Sequence, residues 1–171
     1  MMLVYDDAQV LDIAGPVQLL SSAIDPATGG PAYDVEIVAG ERGPVATTSG
    51  LVLCVARSIV DIAPEELEDI DTFLVTGGEG SRTAMEDERL LAFVRKASAR
   101  ASRTVSICTG SVILAAAGVL DGRRATTHWA YAPTMRKRSP KVSVADDAIS
   151  VPDTHTTLPT PNPASTPEAP A

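Results

Sequence analysis

Apolar and polar positions along this chain switch repeatedly between a short period and a helical one. Runs rich in β-formers occur at Met2 to Tyr5, Tyr33 to Ala39, Asp71 to Thr76, Thr104 to Ile107, Ala125 to Thr127 and Val142 to Val144. Val45 to Val55 reads as a pair of short strands turning at Ser49-Gly50. Between these runs lie helical patterns. Glu88 to Ala101 is the clearest, with Leu90, Leu91, Phe93, Val94 and Ala97 on one side and basic residues toward its end. Gly15-Pro16 reads as the opening of a helix whose Val17, Leu19, Leu20 and Ile24 face a core, with Asp12 in the turn before it. Asp61 to Pro64 starts a short acidic helix, Val112 to Ala117 forms a buried one, and Ala130 to Arg138 another. Strands alternating with helices predict an α/β fold around a mostly parallel sheet.

Composition narrows this picture. The chain has 171 residues, 44% of them hydrophobic, enough for one domain with a true core. A net charge of −8 argues against the chain holding a polyanion by itself. No apolar run approaches a membrane span, and no signal-peptide pattern opens the chain, so a cytoplasmic protein without membrane contact is the expectation. Cys54 and Cys108 offer neither a disulfide framework nor zinc spacing, and Cys54, inside LVLCVA, is expected in the core. Gly77-Gly78-Glu79-Gly80 lacks the Lys-Ser/Thr of a phosphate-binding loop, and no cofactor or metal is expected. Beyond Pro152 the sequence turns to proline and threonine, which predicts a disordered tail over residues 152 to 171, His155 included.

The chemistry concentrates at TVSICTGSVILAAAG, Thr104 to Gly118. Strand, tight turn and helix put Cys108 on the turn, where the following amides lack helical partners and face its sulfur. Such amides pull a thiol pKa down, and a small residue such as Gly110 lets the turn close. The plain alternative is a buried structural cysteine. Asp12, Gly77-Gly78, Cys108 and His128 all follow predicted strands, so a parallel sheet would gather them at its carboxyl edge. Asp12 could instead cap a helix, and a histidine followed by tryptophan is often only packed.

With LDIAGP around Asp12, VTGGEG around Gly78, ICTGS around Cys108 and AAAGVLDGRRATTHW ending at Trp129, the chain resembles the ThiJ/PfpI superfamily over roughly residues 1 to 151. That resemblance implies a class I glutamine amidotransferase-like, flavodoxin-like three-layer fold with a cysteine nucleophile elbow. It implies that Cys108 is the nucleophile or redox-sensing thiol and that Asp12 lies beside it. It further implies that backbone N–H groups of Gly78 and Thr109 form an oxyanion site, and that His128 lies near the pocket. A carboxylate beside a thiol raises the thiol pKa unless the two share a proton, so a coupled Asp12–Cys108 pair is expected rather than a serine-protease-like triad.

The TTHW stretch is most similar to sensor domains of AraC-type transcriptional regulators, and isonitrile hydratases carry similar motifs. The leading expectation is a ligand- or redox-sensing domain related to those regulators but without their DNA-binding module. It would take an unidentified small molecule and make no direct DNA contact. The alternative is a hydratase or lyase using Cys108 as nucleophile, with an amidotransferase or peptidase further behind. The family's last strand and helix are replaced here by the Pro/Thr segment. The domain is therefore expected to be incomplete near residue 151, leaving an apolar patch that would favour self-association, with a homodimer as one outcome.

Overall fold

A computed structural model describes residues 1–145. The expected end of the domain near 151, the tail from 152 and His155 lie outside the described residues. The chain runs through β1 (Met2–Leu3), α1 (Val10–Ser21), β2 (Ile37–Ala39), β3 (Gly43–Ala46), β4 (Val52–Val55) and β5 (Arg57–Ser58). It continues through β6 (Thr72–Val75), α2 (Ser81–Ala84), α3 (Glu88–Arg100), β7 (Arg103–Ser106), α4 (Gly110–Ala116), β8 (Arg124–Ala125), α5 (Ala132–Arg138) and β9 (Ser143–Val144).

Five strands form a parallel sheet in the order β5-β2-β1-β6-β7. Its central strands are buried on both faces, as parallel sheets require: Leu3, Val4, Val38, Phe73 and Val75 are each fully enclosed. On α3, Asp87 caps the first turn by accepting from the N–H groups of Arg89 and Leu90. The five apolar residues expected on one side of this helix are all buried, and Phe93 meets Phe73 edge to face. The chain thus has the α/β architecture expected from its sequence, a mostly parallel sheet flanked by helices.

Several elements differ from expectation. Helix α1 starts at Val10, so Asp12 lies in its first turn and Pro16 falls inside it. A proline there forfeits only one backbone hydrogen bond, the one toward the carbonyl four residues back. Of α1 only Ile13 is buried, with Val17 and Leu20 half-buried; Leu19 is 73% exposed, and Ile24, beyond the helix, is also exposed. The acidic helix after Asp61 is instead two single 3₁₀ turns, Ile59–Asp61 and Glu65–Leu67. The strand pair over 45–55 forms as an antiparallel hairpin, but Cys54 is exposed rather than in the core. Strand side chains alternate between faces, and β4 is bonded only to β3, so Val55 points inward while Val52 and Cys54 point out.

Candidate functional site

The carboxyl end of the sheet brings Asp12, Gly77-Gly78 and Cys108 together, whereas His128 follows β8, which pairs with β9 outside the five-stranded sheet. After β7 the backbone turns sharply, and Cys108 takes a left-handed conformation with φ of 51°. For a residue with a Cβ this costs on the order of 1–3 kcal/mol, and such strain persists only where the surroundings enforce it. Here they do. Ser111 and Thr127 hydroxyls donate to the Cys108 carbonyl at 3.1 and 3.4 Å, and α4 begins two residues later. Gly110 lies so close to the end of β6 that a Cβ on it would sit 2.3 Å from the Val75 carbonyl oxygen.

Asp12 reaches this turn from α1. It does not cap the helix: Gln9 holds the cap position, and Asp12 Oδ2 is buried without a hydrogen-bond partner. What separates the carboxyl from the thiol side chain is the Cβ-less Gly77. A Cβ built there would lie 2.6 Å from Asp12 Oδ2 and 2.7 Å from Cys108 Cβ. Burial raises the Asp12 pKa above the usual carboxylate range, with the Gly77 N–H opposing it. Cys108 is an exposed residue, which rules out the buried structural alternative, yet its thiol is pushed up as well, first by partial burial of the sulfur, then by Asp12 and, more weakly, by Glu79. Only the Thr109 N–H pulls it down. The lowering expected from the turn amides is therefore outweighed, because desolvation and a facing carboxylate both oppose the thiolate. Both groups are thus shifted toward their protonated forms.

The two expected oxyanion donors part company. The Thr109 N–H acts on the Cys108 sulfur, whereas the Gly78 N–H is already taken by Thr109 Oγ1 at 2.8 Å, and that hydroxyl returns a bond to the Gly78 carbonyl at 2.9 Å. His128 opens the 3₁₀ turn Trp129–Tyr131, its Nδ1 accepting the Ala130 N–H at 3.3 Å, which leaves Nε2 free for other chemistry. Its imidazole and the Trp129 ring are exposed, with centroids 5.3 Å apart. Its neighbour Thr127 touches the elbow; no hydrogen bond to Asp12 or Cys108 is seen for His128 itself.

Tyr5 was missed from the sequence. Its side chain is buried under the elbow, its Oη donates to the Thr76 carbonyl at 2.6 Å, and burial keeps its phenol protonated. A polar-tipped aromatic closing an otherwise apolar strand was the available signal. Beside the elbow, Tyr131 Oη donates to Glu79 and accepts from Arg82, each at 3.0 Å. A cavity of about 820 Å³ lies at the opposite, amino ends of the strands, near Met2, Ile37, Arg57 and Thr72. None of Asp12, Cys108 or His128 lines it. Among the described residues no group of His, Cys, Asp and Glu is arranged to hold a metal ion, and no helix is long and apolar enough to cross a membrane.

Comparison with known proteins places these features in context. A model of the DJ-1/PfpI family matches residues 1–161. Isonitrile hydratase of Pseudomonas putida is 39% identical over 129 residues, which are 75% of this chain and 51% of that protein. The HTH-type transcriptional regulator CdhR of Pseudomonas aeruginosa is 32% identical over 119 residues, 70% of this chain and 34% of the regulator. The chain thus spans about half of the first relative and a third of the second. Among solved structures, a ThiJ/PfpI family protein from Pseudomonas syringae superposes with a TM-score of 0.74 at 29% identity, covering 90% of this chain and 58% of that one. An AraC family transcriptional regulator from Pseudomonas putida shares the fold, with a TM-score of 0.65 at 17% identity over 88% of this chain and 77% of the regulator.

Proposed function

The chain belongs to the DJ-1/PfpI family, and from that premise we propose that it hydrates a small molecule with an electrophilic carbon, an isonitrile in the first instance, using Cys108 as nucleophile. One observation carries this reading: a buried, otherwise unpartnered carboxyl oxygen of Asp12 faces the elbow across Gly77. A binding domain has no need of such a group. A hydratase does, because a proton must be delivered to the substrate when sulfur attacks and recovered when water adds. The 39% identity to an isonitrile hydratase supports the choice of substrate class.

The proposed chemistry balances as follows. Cys108 Sγ bonds to the terminal isonitrile carbon, and the thiol proton, relayed by Asp12, goes to that carbon, giving a thioimidate. Water then adds to the same carbon, its hydrogen passing to nitrogen through Asp12. Collapse breaks the C–S bond, the remaining hydroxyl proton returns to sulfur, and an N-substituted formamide leaves. The Thr109 N–H supports the sulfur as it gains charge on departure.

The second reading is a sensor domain of the kind joined to DNA-binding modules in AraC-type regulators, and the similarity to CdhR favours it. Incubation of the purified protein with a panel of alkyl and aryl isonitriles, followed by NMR detection of the formamide, separates the two. Turnover lost in Cys108→Ser and reduced at least a hundredfold in Asp12→Asn is expected. Ligand-induced thermal stabilisation with no formamide from any member would favour the sensor.

A further inference from the structure

We infer that Trp129, backed by His128, is the specificity-determining wall of the site, and that it selects substrates carrying a flat aromatic ring beyond the reacting carbon. The inference deepens the hydratase reading and rests on it. The turn that carries Trp129 is pinned to the elbow on both sides. Before it, the Thr127 hydroxyl donates to the Cys108 carbonyl at 3.4 Å. After it, Tyr131 buries its ring against Met85 and against Val112, which lies in the first turn of α4. Tyr131 Oη donates to Glu79 and accepts from Arg82 Nε, each at 3.0 Å, and the Arg82 guanidinium also covers the Tyr131 ring, 5.1 Å from its centroid. Glu79 follows Gly78 directly, and Gly78 exchanges two hydrogen bonds with the hydroxyl of Thr109, the residue after Cys108. The Tyr131 N–H closes the turn on the His128 carbonyl at 2.8 Å. His128 and Trp129 therefore project from the rim of the elbow on a braced segment.

The rings on this base form a tier. Tyr131 is buried at the bottom, His128 meets it edge to face with centroids 6.3 Å apart, and Trp129 lies against His128 at a tilt of 34°. Trp129 is outermost and 80% exposed. An indole offers a large, rigid apolar face, and one that is backed on one side and open on the other is suited to stack on a planar partner. The proposed substrate supplies that partner. In an isonitrile the carbon, the nitrogen and the first atom of the substituent lie on one line. With the carbon at Cys108 Sγ, the substituent stands away from the sulfur and over the rim. An aryl ring there stacks on the indole, whereas a saturated ring of the same size has no flat face to offer. Such selection acts in binding, since Trp129 stands beyond the reacting carbon.

The chain has a single tryptophan, so its fluorescence reports on Trp129 alone. Phenyl and cyclohexyl isonitrile, matched in size, are titrated into Cys108→Ser protein, with free N-acetyltryptophanamide as the optical control, and both are assayed as substrates of the parent. Phenyl isonitrile should quench Trp129 saturably and at lower concentration than the cyclohexyl compound. In turnover, Trp129→Ala should lower the preference for phenyl over cyclohexyl about three- to tenfold, through KM rather than kcat, and Trp129→Phe should retain most of it. His128→Asn removes the middle ring while keeping an acceptor for the Ala130 N–H, and should weaken the preference in the same direction. Fluorescence indifferent to phenyl isonitrile would overturn the inference and leave the indole to a protein partner. Equal losses for both substrates in Trp129→Ala, with formamide still produced, would sink this inference alone. Saturable quenching that favours phenyl, with no formamide from the parent, would uphold the wall and sink the hydratase reading.

Discussion

Replacing Gly77 by alanine would place a methyl group at the one point where α1, β6 and the elbow converge. The new Cβ would lie 2.6 Å from Asp12 Oδ2, 2.7 Å from Cys108 Cβ and 2.8 Å from the Ile107 carbonyl oxygen, all closer than real Cβ atoms approach their neighbours. The carbonyl is backbone and belongs to the turn, so it retreats only by opening the elbow. Asp12 is the softer neighbour and should move, increasing its distance from the thiol. Overpacking of this kind costs about 1–3 kcal/mol, which lowers the melting temperature by roughly 3–10 °C in a domain of this size. The thiol should respond in the other sense. Asp12 holds the Cys108 pKa up, so withdrawing it lowers that pKa and speeds alkylation at neutral pH. A less stable protein with a faster thiol is thus the expected signature, read by thermal unfolding and by iodoacetamide kinetics. Gly40→Ala, where nothing lies within 4 Å of the added Cβ, serves as the control and should stay within about 0.5 kcal/mol of the parent. Wild-type melting and wild-type alkylation in Gly77→Ala would refute the convergence argued here.

Asp12 should also leave a mark on stability against pH. Its folded pKa lies above the ordinary value of 3.8, so ionisation penalises the fold as pH rises past that value, and the penalty is absent below it. Asp12→Asn should therefore melt higher than the parent at pH 7 and match it near pH 3; a difference that stays constant with pH would contradict the buried-carboxyl assignment. Cys54 is exposed on β4, so limiting alkylation of the native protein should modify Cys54 as well as Cys108, and mass spectrometry finding Cys108 alone would show the outer face of β4 to be covered. Cys54→Ser should leave the unfolding free energy within about 0.5 kcal/mol of the parent, as expected for an exposed side chain.

What could be read from the sequence was whatever is decided locally. The run TVSICTGS places β-formers, small residues and an apolar segment in immediate succession, and strand β7, the strained Cys108 and α4 follow in that order. The five apolar residues on one side of α3 likewise required nothing beyond their own spacing. Reading failed where a distant contact decides. Gly15-Pro16 carries a genuine helix-start signal, but the chain enters the helix five residues earlier because Gln9 is fixed by its N–H bond to the Gly77 carbonyl, 2.9 Å away and far along the sequence. LVLCVA has the look of a core strand, yet β4 has a partner on one edge only and is covered on one face, a fact of sheet order that no local pattern contains. Tyr5 was missed for the same reason, since its hydroxyl is bonded to the carbonyl of Thr76, just past β6.

The glycines after β6 show the boundary most clearly. Gly77-Gly78-Glu79-Gly80 was legible as a turn and unconvincing as a phosphate loop, but the sequence does not reveal why three glycines are needed there. The structure supplies the reason as a set of distances. A Cβ on Gly77 would collide with Asp12 and Cys108, one on Gly78 would lie 2.4 Å from the Asp7 carbonyl oxygen, and one on Gly80 1.8 Å from that of Asp6. These residues bind nothing through their own side chains. They let the loop after β1 and the elbow after β7 close against the end of β6, and so bring a carboxyl carried by α1 to a thiol carried by a different segment. The chemistry proposed for Cys108 depends on that closeness more than on any further side chain, and enlarging Gly77, the glycine whose added Cβ would meet Cys108, should disturb the thiol before it disturbs the rest of the sheet.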